Sequence, residues 1–330
     1  MSEKIDLNQT AERIARWCED RRVPDAPYGT YKFTAHDDPN FYASADIAII
    51  RWIIGEDLKT ALTPTQRAEW AGVINSYQNP IDGRFGPEMG HHVLHANGSA
   101  TNALCILGER YKYPVRFYDL FNTPETIGPW LSNINWNNAW GASHLIWGGP
   151  ALWINSAKAT PEWKEACFAW FEQQLNQFGS WPKDFAYSLT PPISPLGCAV
   201  HVWPLYRHTG RPVLGLEVLA DYVTDWQNPE GYWDGVSKYG TMDALYVLAV
   251  AIEEGLPNQS SYRDALYRYM KVHFPAGRAS WVSVNAHYVL CWSSCIGYLQ
   301  RALPDEFSGD IRWGDIFDLS EIYQLDAVQI

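Results

Sequence analysis

Apolar residues recur at helical spacing along the whole chain, and the segments that carry this spacing come in pairs. The first segment of a pair is amphipathic: TPTQRAEWAGVINSY (63–77) has a Thr cap, a Pro at the first helical position and a polar face. The second is apolar nearly all round, as in MDALYVLAVAI (242–252). We therefore predict outer helices at 9–21, 63–77, 115–127, 160–176, 213–225 and 258–272, and buried inner helices at 41–54, 91–108, 138–154, 194–208, 240–254 and 283–301.

A turn motif precedes most of the inner helices and recurs along the chain. It combines a Gln, a turn rich in Gly, Pro or Asp, and an aromatic residue in YQNPIDGRFG (77–86), QFGSWPKD (177–184) and WQNPEGYWDG (226–235). Less regular counterparts are YGTYKFT (28–34), WLSNINW (130–136) and HFPAGRASW (273–281). The spacing gives six units of about 50 residues, which is typical of repeat architectures.

Six helical hairpins whose second helices are buried close most simply into an (α/α)6 toroid, with six inner and six outer helices. We therefore predict an all-α fold that forms a single domain over residues 1–330. The alternative is a linear solenoid, whose ends would need polar caps that the sequence does not show.

The repeated turn resembles the QW motifs of the terpenoid cyclase and protein prenyltransferase superfamily, and similar turns occur in six-hairpin glycosidases and toroid polysaccharide lyases. The resemblance covers the whole chain and implies a toroid with a central cavity. Because the turn ends one helix and starts the next, its own role is mainly structural.

Polar residues gather near the starts of the predicted inner helices, which would open on one rim of a toroid. In chain order they are Tyr42 and Asp46; His91, His92, His95 and Asn97; Asn138, Trp140 and His144; Cys198 and His201; Tyr239 and Asp243; Asn285 and His287. Six of the nine histidines fall in this set. We expect His95, His144 and His201 to face the cavity and His91 to be structural, since adjacent imidazoles cannot share a helix face.

Composition narrows the ligand class. Aromatic residues make up 15% of the chain, with 17 Trp and 19 Tyr, and such side chains suit walls that touch both apolar and polar ligand surface. A net charge of -12 argues against nucleic acid and anionic membranes as partners. The six cysteines form no CxxC, and the amino-terminal segment lacks the apolar run of a secretory signal, so we expect a cytoplasmic protein with reduced thiols.

Basic residues stand beside the aromatic residue of nearly every turn: Lys32, Arg84, Lys183, Lys238 and Arg278. Around one rim they would attract a carboxylate or phosphate ligand, or they are solvated loop charges that link neighbouring hairpins. With the aromatic residues, this pattern favours an enzyme acting on an anionic, uronate-containing saccharide.

Two reactions fit such a substrate. A hydrolase needs two carboxyl groups, for which Asp46 and Asp243 are the inner-helix candidates, with Asp82, Glu88, Asp184 and Asp234 in the turns. A lyase neutralises the uronate carboxylate and removes the neighbouring proton, and Asn138, His144, His201 and Tyr239 resemble the Asn, His and Tyr residues of toroid polysaccharide lyases. Imidazoles outnumber carboxylates on the inner helices, so a lyase is slightly favoured.

The candidate site follows from this assignment. The catalytic residues would be His201 and Tyr239 for proton transfer, Asp243 as orienting group or acid, and His144, which with Asn138 would hold the substrate carboxylate. Trp140 and Trp233 would form stacking walls, and further substrate contacts would come from Tyr42, Asp46, Arg84, His95, Lys238 and His287.

Other classes of protein remain open. An isoprenoid enzyme would use the aromatic cavity to stabilise carbocations, but the chain has no DxDD, and HDDPNF (36–41) lacks the third Asp of DDxxD. We expect no cofactor; a zinc ion on Cys198, His201 and Asp243 is an alternative. A non-catalytic glycan-binding toroid would explain the aromatic residues equally well. The pattern does not predict an oligomeric state.

Overall fold

The computed structural model describes residues 4–87, 89–183, 193–233, 238–274 and 284–330, apart from the side chains of Ile193 and Lys238. These residues are mostly helical, which confirms the all-α prediction. Two short strands, β1 (Ile5–Asp6) and β2 (Phe307–Ser308), pair in parallel and join the segment before α1 to the segment after α14. None of the helices in the described ranges is both long and apolar enough to cross a membrane.

The α-helices fall into long and short elements. They are α1 (Leu7–Glu19), α2 (Phe41–Ile53), α3 (Leu58–Ala61), α4 (Pro64–Asn75), α5 (His95–Leu107), α6 (Pro124–Ser132), α7 (Ala139–Trp147), α8 (Pro150–Trp153), α9 (Pro161–Gln174), α10 (Ile193–Arg207), α11 (Leu216–Trp226), α12 (Lys238–Glu253), α13 (Gln259–His273), α14 (Ala286–Ala302) and α15 (Leu325–Val328). Short 3-10 helices occupy Phe117–Leu120, Pro304–Glu306 and Ser320–Ile322.

Six helices with little solvent exposure form a closed cycle of contacts. Helix α2 packs against α5, α5 against α7, α7 against α10, α10 against α12, α12 against α14, and α14 returns to α2. Every residue of α5 is buried, as the apolar character of the segment predicts. The starts of these helices carry the polar residues singled out above, so the cycle brings those residues around one centre.

The amphipathic helices pack outside this cycle. Helix α4 begins at Pro64 behind a capping box, in which Thr63 and Gln66 satisfy each other's backbone N–H groups. It packs against α2 and α5 through buried residues that include Trp70 and Ile74. Helix α13 likewise packs against α12 and α14. One face of α4 and one face of α13 therefore cover inner helices, and the opposite faces meet solvent.

The recurring turn motif has a structural role in the hairpins. Gln78 is buried, and its Nε2 donates to the carbonyl oxygens of Gly83 and Tyr113. Gln227 does the same towards Gly231 and Ala265. These glutamines tie each turn to the next outer segment of the chain, which satisfies backbone groups that the turn would otherwise leave buried and unpaired.

Three predicted helix boundaries were wrong. The segment 115–127 is not one helix, because a 3-10 turn ends at Leu120 and Thr123 then caps α6, which starts at Pro124. The segment 138–154 breaks at Gly148–Gly149, where the backbone of Gly149 leaves the helical region (φ -120°, ψ -99°). The segment 91–108 becomes helical only at His95, since Leu94 is left-handed (φ 74°).

The last 28 residues, 303–330, were assigned no role from the sequence, and they close one end of the helix cycle. Gly314 N donates to Ile53 O at the end of α2 (2.8 Å). Asp318 pairs with Arg207 at the end of α10 (3.1 Å) and with Arg301 near the end of α14 (2.9 Å). Because these contacts are all at the carboxyl ends of the inner helices, the tail lies opposite the polar helix starts and forms a floor.

Candidate functional site

A small cavity lies inside the helix cycle, between the polar helix starts and the carboxyl-terminal floor. Its volume is about 50 Å³, enough for a few water molecules, since one water needs roughly 10–15 Å³. The described lining residues are His95, Trp140, His144, Trp147, His201, Tyr239, Met242, Asp243, His287, Leu290, Cys291, Ile316 and Phe317. They come from α5, α7, α10, α12, α14 and the tail.

Imidazoles dominate this cavity and are packed around His95. Its ring stacks on His91, with centroids 3.8 Å apart and planes 4° apart. The His144 ring meets His95 edge-on at 4.7 Å, and His201 meets His144 edge-on at 4.9 Å. His287 lies 5.9 Å from His95. Five histidines that are distant in the sequence thus form one cluster, which includes His91, expected above to be structural.

Burial keeps several of these imidazoles uncharged. Desolvation, followed by repulsion from neighbouring imidazoles, lowers the pKa of His91 to about 3 and that of His95 to well below its usual range. The pKa of His144 falls well below its usual range for the same reasons. Desolvation lowers the pKa of His201 to about 4, although a hydrogen bond with Gly197 opposes the shift. At neutral pH these four rings are neutral, and each has one nitrogen with a lone pair.

Hydrogen bonds select which nitrogen of His144 and His201 carries the proton. The backbone N–H of His92 donates to His144 Nδ1 (3.1 Å), so the proton of His144 sits on Nε2. Ser143 has a single hydroxyl proton and donates it to Trp140 O (2.6 Å). Its Oγ therefore accepts from His201 Nδ1–H (2.9 Å), and His201 Nε2 keeps a lone pair. One imidazole is thus a donor at Nε2, and the other is a potential base.

Asp46 and His287 form a buried pair across the cavity wall. The Asp46 carboxyl, on α2, is fully buried, and its Oδ2 lies 3.0 Å from His287 Nδ1 on α14. Burial raises the pKa of Asp46 above its usual value, and the neighbouring His287 offsets only part of this rise. An Asp–His contact of this kind fixes the ring orientation and, when the carboxyl is ionised, places the imidazole proton on Nδ1.

Asp243 is the carboxyl group on the cavity wall among the described residues. It is 3% exposed, and desolvation raises its pKa to about 8. At neutral pH this carboxyl group therefore holds its proton and can donate it. A protonated carboxyl group and a neutral imidazole base on the walls of one cavity match the requirements of general acid–base catalysis.

Aromatic side chains complete the cavity. Trp147 Nε1 donates to Tyr323 Oη in the tail (2.7 Å), which holds the indole against the His95 ring. Phe317 contacts His201 edge-on at 5.9 Å. Tyr239 Oη accepts from Asn285 Nδ2 (3.3 Å), and burial raises the pKa of Tyr239, so its hydroxyl keeps its proton. Trp140, predicted as a stacking wall, lines the cavity.

Several predicted site residues lie elsewhere. Asn138 caps α7 by accepting from Gly141 N, and its Nδ2 contacts His92. Trp233 is buried in a hairpin turn, where its Nε1 donates to Val223 O (2.8 Å), and Trp181 makes the equivalent bond to Phe171 O. Tyr42 lies behind the wall, 3.0 Å from His95 Nδ1.

The basic turn residues that the structure describes are not on the cavity wall. Arg84 is half-exposed and pairs with Asp82 in its own turn (2.7 Å). Lys32 and Lys183 are likewise absent from the cavity lining, which contains no Arg or Lys among the described residues. The Lys238 side chain and Arg278 lie outside the described residues, as do Glu88, Asp184 and Asp234.

The residues could also hold a metal ion. Two groups of three imidazoles have possible ligand atoms within 4.8 Å of one another, namely His91, His95 and His287, and His95, His144 and His201. Cys198, considered above as a zinc ligand, belongs to neither group; its Sγ donates to Trp181 O (3.6 Å), and burial raises its pKa to about 12.

Sequence reasoning missed some residues of the site. No sequence pattern marks Ser143, although it directly precedes His144 on the same predicted helix. Ile316 and Phe317 lie in a segment without helical periodicity, so no local signal marks them. Trp147 lies inside the predicted helix 138–154 and is the last residue of α7 in the structure.

A scan against protein-family models finds no match to this chain, and a search of curated proteins finds no significant one.

Proposed function

We propose that the protein is an (α/α)6 toroid that cleaves a uronate-containing saccharide by β-elimination, with the reacting bond at the wall of this small cavity and most of the saccharide outside it. The closed cycle of α2, α5, α7, α10, α12 and α14 supports the toroid. The observation that carries the function is the combination of a neutral His201, whose Nε2 has a lone pair, with a protonated Asp243 on the wall of the same cavity.

Each group has a defined part in the reaction. His201 Nε2 removes the proton from the carbon next to the uronate carboxyl group. The electron pair of that C–H bond forms the new carbon–carbon double bond, and the glycosidic C–O bond one carbon further on breaks. Asp243 donates its proton to the departing oxygen. The products are a saccharide with a new, unsaturated non-reducing end and a second saccharide in which the protonated oxygen is the anomeric hydroxyl group of a new reducing end.

The neighbours of this pair support the same chemistry. His144 Nε2–H is a donor, suited to a carboxylate oxygen whose negative charge grows as the proton leaves. The hydroxyl group of Tyr239 offers a further proton besides that of Asp243. The ring centroid of Tyr239 lies 5.3 Å from that of His287. The partly exposed indole of Trp140 provides an apolar face for a sugar ring.

Elimination is favoured over hydrolysis because a glycosidase needs two carboxyl groups facing the bond that breaks. Of the two inner-helix carboxyl groups, Asp243 lines the cavity, whereas Asp46 lies behind His287. A hydrolase would therefore lack its second carboxyl group among the described residues of the wall.

The test is incubation of metal-stripped protein with uronate-containing and neutral glycans, following ultraviolet absorbance of the unsaturated uronate alongside reducing ends. We expect new absorbance with uronate substrates only. His201→Gln should lower the rate by about 10²–10⁴-fold, and His36→Gln, in an exposed loop, should leave it unchanged. Reducing ends without absorbance would indicate a hydrolase. Turnover of prenyl diphosphates would indicate an isoprenoid enzyme, and glycan binding without cleavage a binding protein.

A further inference from the structure

The carboxyl group of Asp46 lacks an obvious partner for a negative charge. It is fully buried, its Oδ2 contacts His287, and its Oδ1 has no hydrogen-bond partner. No Arg or Lys among the described residues pairs with it. Burying a charge without a counter-charge is costly. A cation on the far side of the His287 ring would supply that charge through the imidazole.

The far side of His287 faces two further imidazoles. Possible ligand atoms of His91, His95 and His287 lie within 4.8 Å of one another. The Nδ1 atom of His287 faces Asp46 and the Nδ1 atom of His95 faces Tyr42 Oη, both at 3.0 Å. Each can therefore donate from Nδ1 and keep the Nε2 lone pair for a ligand. A carboxylate behind a metal-bound imidazole is a common arrangement, because it fixes the ring and raises its basicity.

The second group of imidazoles, His95, His144 and His201, is less suited to a metal. His144 Nδ1 accepts from the backbone of His92, which places the proton on Nε2. If His144 bound a metal ion through Nε2, its proton would move to Nδ1. That proton would then point at the backbone N–H of His92, which is itself a donor. The hydrogen bonds therefore favour the group that contains His287.

We propose that His91, His95 and His287 bind one divalent transition-metal ion, with Asp46 behind His287. Three neutral imidazoles are a ligand set of Zn²⁺, with a fourth position left for water or substrate. The His91 and His95 rings are stacked, and an ion in the plane of both rings requires His91 to turn. His91 is partly exposed and precedes the first residue of α5, so helix α5 does not constrain it.

Such an ion would place positive charge beside a cavity whose described lining has no Arg or Lys. That charge would attract an anionic substrate, which deepens the function proposed above. The site itself depends only on the three imidazoles and Asp46, and metal binding is measured without substrate. Loss of turnover and loss of metal binding can therefore be told apart.

The test uses the untagged, metal-stripped full chain titrated with Co²⁺, followed by displacement with Zn²⁺. We expect one Co²⁺ per chain, with the visible absorption of a four- or five-coordinate site, and complete displacement by Zn²⁺. Asp46→Asn, nearly equal in shape, should weaken binding by about 10–100-fold. His287→Ala should abolish the absorption. His36→Ala, in an exposed loop, and His201→Ala should keep the stoichiometry and spectrum.

Three results would overturn the proposal: no Co²⁺ absorption with the wild type, an unchanged affinity in Asp46→Asn, or an unchanged spectrum in His287→Ala. Loss of the spectrum in His201→Ala but not in His287→Ala would assign the ion to the other group. Circular dichroism of each variant checks the fold. If His287→Ala does not fold, Asp46→Asn and the wild-type spectrum still decide the question.

Discussion

Replacing Asp243 by Asn should raise stability and abolish turnover at the same time. Asp243 is 3% exposed, and burial raises its pKa from 3.8 to about 8. Asn has nearly the shape of the protonated acid but cannot lose or donate a proton. The substitution therefore removes both the titration that destabilises the fold at higher pH and the proton that the proposed reaction uses.

The size of the stability effect follows from proton linkage. Between its unfolded pKa of 3.8 and its folded pKa of about 8, Asp243 keeps its proton in the folded state and loses it in the unfolded chain. The unfolded state binds fewer protons, so the free energy of unfolding falls by about 1.4 kcal/mol per pH unit from this group. The stabilisation from Asp243 is fully present below pH 3.8 and is lost as the pH rises to about 8. The Asn variant lacks this slope.

The assay is urea denaturation of both proteins at several pH values from about 5 to 7, with the linear extrapolation that two-state unfolding allows. The free energy of unfolding of Asp243→Asn minus that of the wild type should grow by about 3 kcal/mol over these two pH units. Asp225→Asn, on the exposed face of α11, removes a surface carboxylate and should follow the wild type. Parallel curves for Asp243→Asn and the wild type would refute the reasoning, as would undiminished turnover in the variant.

Three further predictions concern groups around the cavity. Ser143→Ala removes the acceptor of His201 Nδ1–H and should lower the turnover number by about 10–100-fold with little change in KM or melting temperature; an unchanged turnover number would contradict the assigned tautomer. Phe317→Ala removes a 2% exposed ring from the floor and should lower the free energy of unfolding by about 3–5 kcal/mol, as urea denaturation would show; a loss below about 1 kcal/mol would mean that the tail is not part of the core. Cys198→Ser should leave the Co²⁺ stoichiometry unchanged, because Cys198 belongs to neither imidazole group. Loss of Co²⁺ binding in this variant would mean that Cys198 is a metal ligand.

The helices of the inner cycle could be predicted because their residues repeat a physical requirement. A helix buried on all sides is apolar throughout, and a polar residue that remains near its start has a partner or a function. Such polar residues include His95, His144, His201 and Asp243, which line one cavity. Local periodicity alone is enough to locate them in the sequence.

The tail could not be found in this way. Tyr323 lies 176 residues from the Trp147 indole that donates to it, and Phe317 contacts His201, which lies 116 residues earlier in the chain. Such contacts depend on where the chain returns after α14, which residues 303–330 do not signal by any periodicity.

Two predicted positions show why a shared motif can mislead. Trp233 has the composition expected of a stacking wall, yet it belongs to the turn motif, whose tryptophans donate to a carbonyl oxygen near the end of the preceding outer helix. Arg84 was singled out as a ligand cation, but Asp82, two residues earlier, is its partner. In both cases a nearby group of the protein already bonds to the polar atoms of the side chain, which are therefore not offered to a ligand.

The proposed reaction requires His201 to be a neutral base with a free Nε2. Long-range hydrogen–nitrogen correlation spectra of the imidazoles in metal-stripped protein at neutral pH measure this directly, with His201 assigned from the spectrum of His201→Gln. We predict a neutral His201 ring protonated on Nδ1, beside a neutral His144 ring protonated on Nε2. A doubly protonated His201, or a His201 protonated on Nε2, would contradict the account.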